Sequence, residues 1–385
     1  MIGELIDVGV FHTGGDIRVA TRIGSSAMSE GSTAGTGAVH APGAPAEQEL
    51  HLTPSGSPRP DEPAVEFVGV SKRFGEGAGA AFAIERLDLS VRSGELMVFV
   101  GPSGCGKTTS LRLVNRLIEP TGGVVKVAGR DVMTVPPARL RRDIGYVIQQ
   151  AGLFPHRTIA QNIATVPSLL GWSRTDIDTR VEELADLVGL DRALLSRRPS
   201  ALSGGQQQRV GVARALAARP SVLLMDEPYS AVDPVVRAHL QDELLALHER
   251  VGTTILLVTH DIDEAVRLGD RVAVFTTGRL AQVATPDDLL AHPADAYVEH
   301  FLGGDRQLRR LALRDARDLV LGPLSPSLDR QLAAGTVVEV PVEMTGRNIV
   351  DAMLESGRTI AVVVDGDRRL GTVTLTELTD LLHLR

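Results

Sequence analysis

Apolar residues along this chain keep different rhythms, and each change of rhythm marks an element. From Ala64 the pattern alternates: Val65-Glu66-Phe67-Val68-Gly69-Val70 and Leu87-Asp88-Leu89-Ser90-Val91 read as half-buried strands. Leu96–Val100 is unbroken apolar, the texture of a buried strand, and Ser110–Leu117, with Leu111, Leu113, Val114 and Leu117, suits a helix. Val124–Val127 and Ile144–Ile148 predict further strands. From about Thr158 the texture turns helical. Thr158 and Gln161 make a capping-box pattern, and Val181, Leu184, Leu187 and Val188 form an apolar stripe. Buried-strand runs return at Val222–Met225 and Thr254–Val258. Between them a helix repeats Val236, Leu240, Leu244, Leu247 and Val251 every three or four residues. The pattern predicts an α/β core with an antiparallel β edge over 64–303, interrupted by a helical insert at about 153–219.

After Gly304 the rhythm shifts again. Asn348–Ser356 reads as a helix, Ile360–Val364 as a strand, Asp365-Gly366-Asp367 as a turn and Gly371–Thr374 as a second strand. Thr374 and Glu377 then cap a last helix ending near Leu382, so 305–385 predicts a small, separate βαββα-like α+β module. Residues 1–62 are rich in Gly, Ala, Ser, Thr and Pro and show no sustained period, the composition of a disordered extension. Their start lacks the basic n-region and apolar core of a signal peptide, and Met28 is an alternative start that N-terminal mass spectrometry would decide.

A length of 385 residues allows two or three domains. The net charge of −8 argues against nucleic acid as a partner. Cys105 is the single cysteine, so no disulfide closes within the chain, which fits a cytosolic protein. No apolar run approaches the ~18–20 residues that span a bilayer, so any membrane role comes through a partner. Lysine occurs only at Lys72, Lys107 and Lys126, and one of these three falls in the most informative stretch of the chain.

That stretch is Gly101-Pro102-Ser103-Gly104-Cys105-Gly106-Lys107-Thr108-Thr109, set between a buried strand and a helix, with the pattern GxxxxGK[ST] from Gly101 to Thr108. Glycines let backbone N–H groups wrap phosphate oxygens, and the helix N-terminus adds positive potential. Lys107 would reach the β- and γ-phosphates, and the Thr108 hydroxyl would ligate Mg²⁺. A plain glycine-rich turn is the alternative, and the strand–loop–helix order argues against it. Val222–Met225 ends in two carboxylates: Asp226 is placed to hold Mg²⁺ through water, and Glu227 to polarise an attacking water. Leu202-Ser203-Gly204-Gly205-Gln206 precedes a helix and offers a second anion site without a lysine of its own. The economical reading is that it clamps a nucleotide held by another copy. His260 lies just past a buried strand, within reach of a γ-phosphate. The plainer reading makes it a helix-start residue beside an Asp261/Glu264 cap.

In combination and in order, these motifs resemble the ATPase subunit of an ATP-binding-cassette (ABC) transporter over about Ala64–Gly303. The resemblance implies a P-loop NTPase fold with a RecA-like core, an antiparallel β edge and a helical subdomain, with ATP and Mg²⁺ as cofactors. Gly101–Thr108 matches the Walker A motif, Val222–Asp226 the Walker B motif, and Glu227 the catalytic carboxylate that follows it. Gln149 matches the Q-loop, a third metal-site residue beside Thr108 and Asp226, and His260 the switch histidine. Ser230-Ala231-Val232-Asp233 matches the D-loop, with Val232 where Leu is usual. Phe74 sits where an aromatic stacks on adenine, with Phe82 a nearby competitor. In the family two ATPase subunits sandwich two ATPs, so signature residues Ser203, Gly204, Gly205 and Gln206 would act in trans, in a homodimer. Cys105 reads as a tolerated small loop residue.

Local stretches narrow the branch. Val114–Pro120, Tyr146–His156 and Thr165–Trp172 resemble the importers of quaternary-amine osmoprotectants: glycine betaine, choline and carnitine. That kinship implies an ATPase at the cytoplasmic face of the membrane, working with separate permease subunits and a substrate-binding protein. Phe154-Pro155-His156 is the expected permease docking site. ATPases of the branch often carry tandem CBS domains. The module at Asn348–Leu382 looks like one repeat, with room in Asp305–Val340 for at most a remnant, so it is expected either to sense or merely to steady a dimer. Two alternatives remain open: an ATPase for another small polar solute such as an amino acid or taurine-like anion, and a soluble ABC ATPase acting on ribosomes or DNA.

Overall fold

The computed structural model describes residues 62–75, 81–149, 152–230 and 232–383. The expectation of a disordered 1–62 extension lies, but for Glu62, outside the described residues, as do Gln150, Ala151 and Ala231.

Strands β1 (Pro63–Phe74) and β2 (Ala81–Arg92) pair antiparallel, and their alternation buries Val65, Phe67, Leu87 and Leu89 on one face. β3 (Leu96–Val100) is buried throughout and delivers the chain to α1 (Lys107–Val114). The helix stops short of Leu117 because Arg116 takes φ +50°, a left-handed stop. Leu117 N then donates to Arg112 O at 2.9 Å, and the Leu117 side chain, expected in the stripe, is 47 % exposed. β4 (Gly122–Val127) and β5 (Arg130–Asp131) extend the antiparallel edge, and α2 (Pro137–Arg142) leads to β6 (Ile144–Val147).

The predicted insert follows as α3 (Ile159–Ile163), α4 (Thr165–Leu169), α5 (Arg174–Leu187) and α6 (Gly204–Leu216), with no strand between them. Thr158 and Gln161 close the expected capping box on α3, and Val181, Leu184 and Val188 are buried. β7 (Val222–Asp226), α7 (Pro234–Val251), β8 (Thr254–Val258), α8 (Ile262–Leu268), β9 (Arg271–Thr276), β10 (Arg279–Ala284), α9 (Pro286–Ala291) and α10 (Ala296–Leu302) complete the core. Of the α7 stripe, Leu240, Leu244 and Leu247 are buried, but Val236 and Val251 toward its ends are exposed.

All ten strands join one sheet in the order β5-β4-β1-β2-β10-β9-β3-β8-β7-β6, with β9, β3, β8, β7 and β6 parallel. The unbroken apolar runs have a simple cause. Leu96, Val98 and Val100 point into a core shared with α5, α6 and α7, while Met97 and Phe99 point into another shared with α1 and the antiparallel strands. Each fully buried Leu or Val contributes roughly 1.5–3 kcal/mol. All parallel strands end toward the same edge, where loops after β3, β6, β7 and β8 meet.

Beyond α10 come α11 (Arg306–Ala312), α12 (Leu328–Ala333), β11 (Val338–Pro341), α13 (Gly346–Ser356), β12 (Ile360–Asp365), β13 (Arg368–Thr374) and α14 (Leu375–His383). This is the βαββα order expected, with β11 parallel and β13 antiparallel to β12. Thr374 N donates to Glu377 Oε2 at 2.7 Å and Glu377 N to Thr374 Oγ1 at 3.1 Å, the predicted cap. One sheet face buries Val340, Ala361 and Val363 against α13 and α14, and the other buries Val362 against Leu328 of α12. Helix α11 belongs to both neighbours. Leu311 is buried in the C-terminal core, while Arg309 pairs with Asp263 of α8, Arg310 with Asp287 of α9, and Arg306 with Glu299 of α10.

Candidate active site

The glycine-rich loop is shaped by close backbone approaches. A Cβ on Gly101, at φ +151°, would lie 2.5 Å from Phe275 O, and one on Gly106, at φ +108°, 2.5 Å from Ala83 O. Only glycine lets the loop sit against β9 and β2 there. Cys105 is buried beneath the loop, while Pro102, Ser103 and Gly104 are exposed at its crest. Lys107 is buried, and its amine donates to Gly101 O at 2.6 Å and Pro102 O at 2.9 Å. Thr108 and Thr109 follow in the first turn of α1, both half-buried.

The carboxylates come to this loop from β7. Thr108 Oγ1 donates to Asp226 Oδ1 at 2.8 Å, closing the gap between two motifs far apart in sequence. Asp226 Oδ2 also receives the Tyr146 hydroxyl at 3.4 Å, a contact the sequence reading missed. Burial, and then the charge of Asp226, push the Tyr146 phenol above its ordinary value, so it stays a proton donor. Glu227 takes φ +47°, rare for a residue with a side chain, and its N–H donates to Val258 O at 2.9 Å. The resulting turn sends its carboxylate toward two other predicted residues. Gln149 Nε2 lies 3.5 Å from Glu227 Oε2 and donates to Ser230 Oγ at 3.2 Å, and His260 Nδ1 lies 3.5 Å from the same carboxylate oxygen. Lys107, Thr108, Gln149, Asp226, Glu227 and His260 thus form one constellation. The oxygen donors of Thr108, Asp226 and Gln149 are the hard ligands that Mg²⁺ prefers, and the Thr108–Asp226 contact brings two of them together.

Behind His260 the structure departs from the expected cap. Asp261 alone caps α8, accepting from Asp263 N and Glu264 N, whereas the Glu264 carboxylate turns inward and accepts from Thr259 Oγ1 at 2.8 Å. Thr259 Oγ1 in turn accepts from Asp261 N at 3.0 Å, so the buried pair fixes the backbone on both sides of His260. Burial pushes the Glu264 carboxyl up to about 7, opposed by the Thr259 hydrogen bond and helped by the charge of Asp261. Between its ordinary value of 4.5 and about 7 the folded chain holds a proton on Glu264 that the unfolded chain has released. Stability therefore falls as pH rises through that window, by at most about 1.4 kcal/mol per pH unit, and levels off above it. Thermal melts from pH 5 to 8 are expected to show this slope in the wild-type chain and a flatter profile in Glu264→Gln. Equal slopes would assign the pH dependence elsewhere.

Two predicted groups stand apart from the constellation. Ser203 and Gln206 close a capping box on α6, with Ser203 and Gly204 exposed and Gly205 half-buried against Val236. Their hydrogen bonds run to each other and not to the 101–109 loop. Phe74 and Phe82, at 49 % and 50 % exposed, lie at the adjoining ends of β1 and β2, so exposure does not choose between them. The Phe154 loop is anchored by Asn162, a fully buried residue the sequence reading passed over. Its Oδ1 accepts from Phe154 N at 2.7 Å, and its Nδ2 donates to Phe154 O at 3.2 Å and Thr158 O at 2.9 Å. Arg157 and Arg214 lie 5.0 and 5.9 Å from the half-exposed Phe154 ring. Asn162→Ala strands these backbone groups and is expected to destabilise the fold by about 1–3 kcal/mol, read as a lower melting temperature. An unshifted melt would mean the loop holds its shape without it.

The sequence profile of the ABC transporter family matches residues 84–230. An osmoprotectant import ATP-binding protein of Salmonella typhimurium is 50% identical over 257 residues, 66% of this chain and 67% of that protein. A glycine betaine/carnitine/choline transport ATP-binding protein of Bacillus subtilis is 44% identical over 289 residues, 74% of this chain and 72% of that one. Among solved structures, a dimeric ATP-binding cassette in a post-hydrolysis state with ADP and phosphate superposes with a TM-score of 0.52 at 32% identity, covering 58% of this chain and 98% of the cassette. With the loop, the paired carboxylates and the sheet order already in place, these relatives make the chain a member of the ABC transporter ATP-binding protein family, an ATPase by fold and by descent.

Proposed function

We propose that this chain is the ATP-hydrolysing subunit of an importer of quaternary-amine osmoprotectants, of the glycine betaine, choline and carnitine class. The observation that carries the reading is the Thr108–Asp226–Glu227–Gln149–His260 constellation, seen in a chain whose relatives are named for osmoprotectant import. Lys107 and the N–H groups of 101–109 bind the β- and γ-phosphates, and Phe74 stacks on adenine. Thr108, Asp226 and Gln149 hold Mg²⁺, which when bound neutralises charge on the phosphate oxygens. Glu227 accepts a proton from the water that attacks the γ-phosphorus, and His260 steadies the γ-phosphate as the bond to ADP breaks. Ser203, Gly204, Gly205 and Gln206 serve the ATP of a second copy, a reading supported by their separation from the loop and by the dimeric form of the related cassette.

The chain works at the cytoplasmic face of the membrane with separate permease subunits and a substrate-binding protein, and Phe154-Pro155-His156 receives a permease coupling helix. Residues 64–303 make the ATPase domain, with 153–219 as its helical subdomain, and 305–385 a single CBS-like regulatory module. The βαββα order over 338–383 supports that last assignment. Reconstitution with the neighbouring permease and binding protein tests the whole. ATP-dependent uptake of labelled glycine betaine, choline or carnitine is expected. Uptake of none of them, with ATP hydrolysis intact, would reassign the solute.

A further inference from the structure

Arg237, in the first turn of α7, belongs to none of the nucleotide motifs, yet it joins two segments that do. Its Nη2 donates to Val232 O at 3.2 Å, just before the Asp233 cap of α7, and its Nη1 donates to Asp261 Oδ2 at 3.4 Å. One guanidinium therefore holds Val232 and the turn that carries His260 at a set spacing. That turn is already pinned on its other side. Thr259 N donates to Phe99 O of β3 at 3.0 Å, and Thr259 Oγ1 donates to Glu264. The neighbour of Arg237 faces the signature helix: a Cβ on Gly205 would stand 3.4 Å from Val236 Cγ1, so the start of α6 packs directly on the first turn of α7. The Arg237 and Asp261 side chains are 29% and 32% exposed, and a pair so open to water adds little to stability. Its value lies in where it holds its partners.

From this geometry we infer that Arg237 is a positioning residue for ATP hydrolysis, coupling the signature segment to His260. The route is contiguous: Gly205 at the start of α6, Val236 at the start of α7, then Arg237, Asp261 and His260. ATP of a second copy, seated on Ser203–Gln206, fixes the start of α7. Arg237 passes that placement to the turn that sets His260 Nδ1 3.5 Å from Glu227. A guanidinium suits the task, because its rigid planar fork fixes two acceptors in one geometry, as the compact ammonium of a lysine does not. The inference rests on the roles proposed above for His260 and for Ser203–Gln206, and it adds the link between them.

Rates of ATP hydrolysis by the full chain, followed against ATP concentration, test the link. Arg237→Met keeps much of the length and removes the fork. Asp261→Asn keeps the Oδ1 that caps α8 and removes the anionic acceptor of Arg237. Each is expected to lower kcat about tenfold, the scale on which residues along packed networks alter coupling. Each should also bring the Hill coefficient for ATP from above unity toward unity, with ATP affinity by calorimetry and the melting temperature near wild type. The double variant should be no slower than the slower single, and Arg237→Met should add nothing to His260→Ala in single-turnover rates. Wild-type rate and cooperativity in Arg237→Met, with His260→Ala slow, would overturn the link alone. So would effects that multiply in the double variant, or a lowered melt with kcat unchanged, which would make Arg237 a structural residue. A wild-type rate in His260→Ala, or a Hill coefficient of unity in the unaltered chain, would instead remove the roles on which the inference rests, and the inference with them.

Discussion

Glu227→Gln is expected to slow ATP hydrolysis by about 10²–10⁴-fold while leaving ATP binding intact. The substitution keeps the side-chain shape, so Gln149 and His260 retain a neighbour at the 3.5 Å they now share with the carboxylate. What disappears is the proton acceptor. The turn at φ +47° persists as well, since it is fixed by the backbone bond from Glu227 N to Val258 O. With hydrolysis blocked, ATP-bound copies should accumulate as a closed homodimer, measured by size-exclusion chromatography with light scattering. Turnover at the wild-type rate would remove Glu227 from the role of base. Slow turnover without a dimer would instead count against the in-trans role of Ser203–Gln206.

Lys107→Ala is expected to weaken ATP binding by about a hundredfold, on the order of 3 kcal/mol, with little change in fold. The amine is buried and held by Gly101 O and Pro102 O, and in the proposed role it turns from these carbonyls to the phosphate oxygens. Its removal leaves those two carbonyls facing one another with no donor between. Nucleotide affinity by calorimetry and the melting temperature separate the two effects: affinity should collapse while the melt moves by a few degrees at most. Wild-type affinity would show that the backbone N–H groups alone hold the phosphates.

Much of this architecture is legible in the residues because its causes are local. Leu96–Val100, Val222–Met225 and Thr254–Val258 are continuous apolar runs because each strand feeds two cores, and the boundaries of the Leu96 strand coincide with β3. The Thr158/Gln161 and Thr374/Glu377 caps act over three residues, so their spacing suffices. What escapes is polar and long-range. Tyr146 is one polar residue in an apolar strand, and its partner Asp226 is set by strand pairing. Asn162 carries no motif, although it is the residue that shapes the Phe154 loop. Glu264 has the spacing of a capping residue, yet burial makes a bond to Thr259 the better one. The stop after α1 rests on Arg116 in a conformation that favours glycine, and so it carries no compositional signal.

Helix α11 gives the C-terminal module a mechanical character. Seven residues long, roughly 10 Å, it acts as a short connecting rod with one end buried beside Ile349 and Met353 and its flank clasped by Asp263, Asp287 and Glu299. Asp263 stands three residues beyond His260, so the Arg309 clasp ties α11 to the start of the helix that follows that histidine. The clasps are lopsided. The Arg309, Arg310 and Arg306 side chains are 12%, 15% and 23% exposed, but their carboxylates are 63%, 43% and 59% exposed. Dissolved ions reach the carboxylate side of each pair and screen it, so the grip of these clasps on the rod loosens as salt rises.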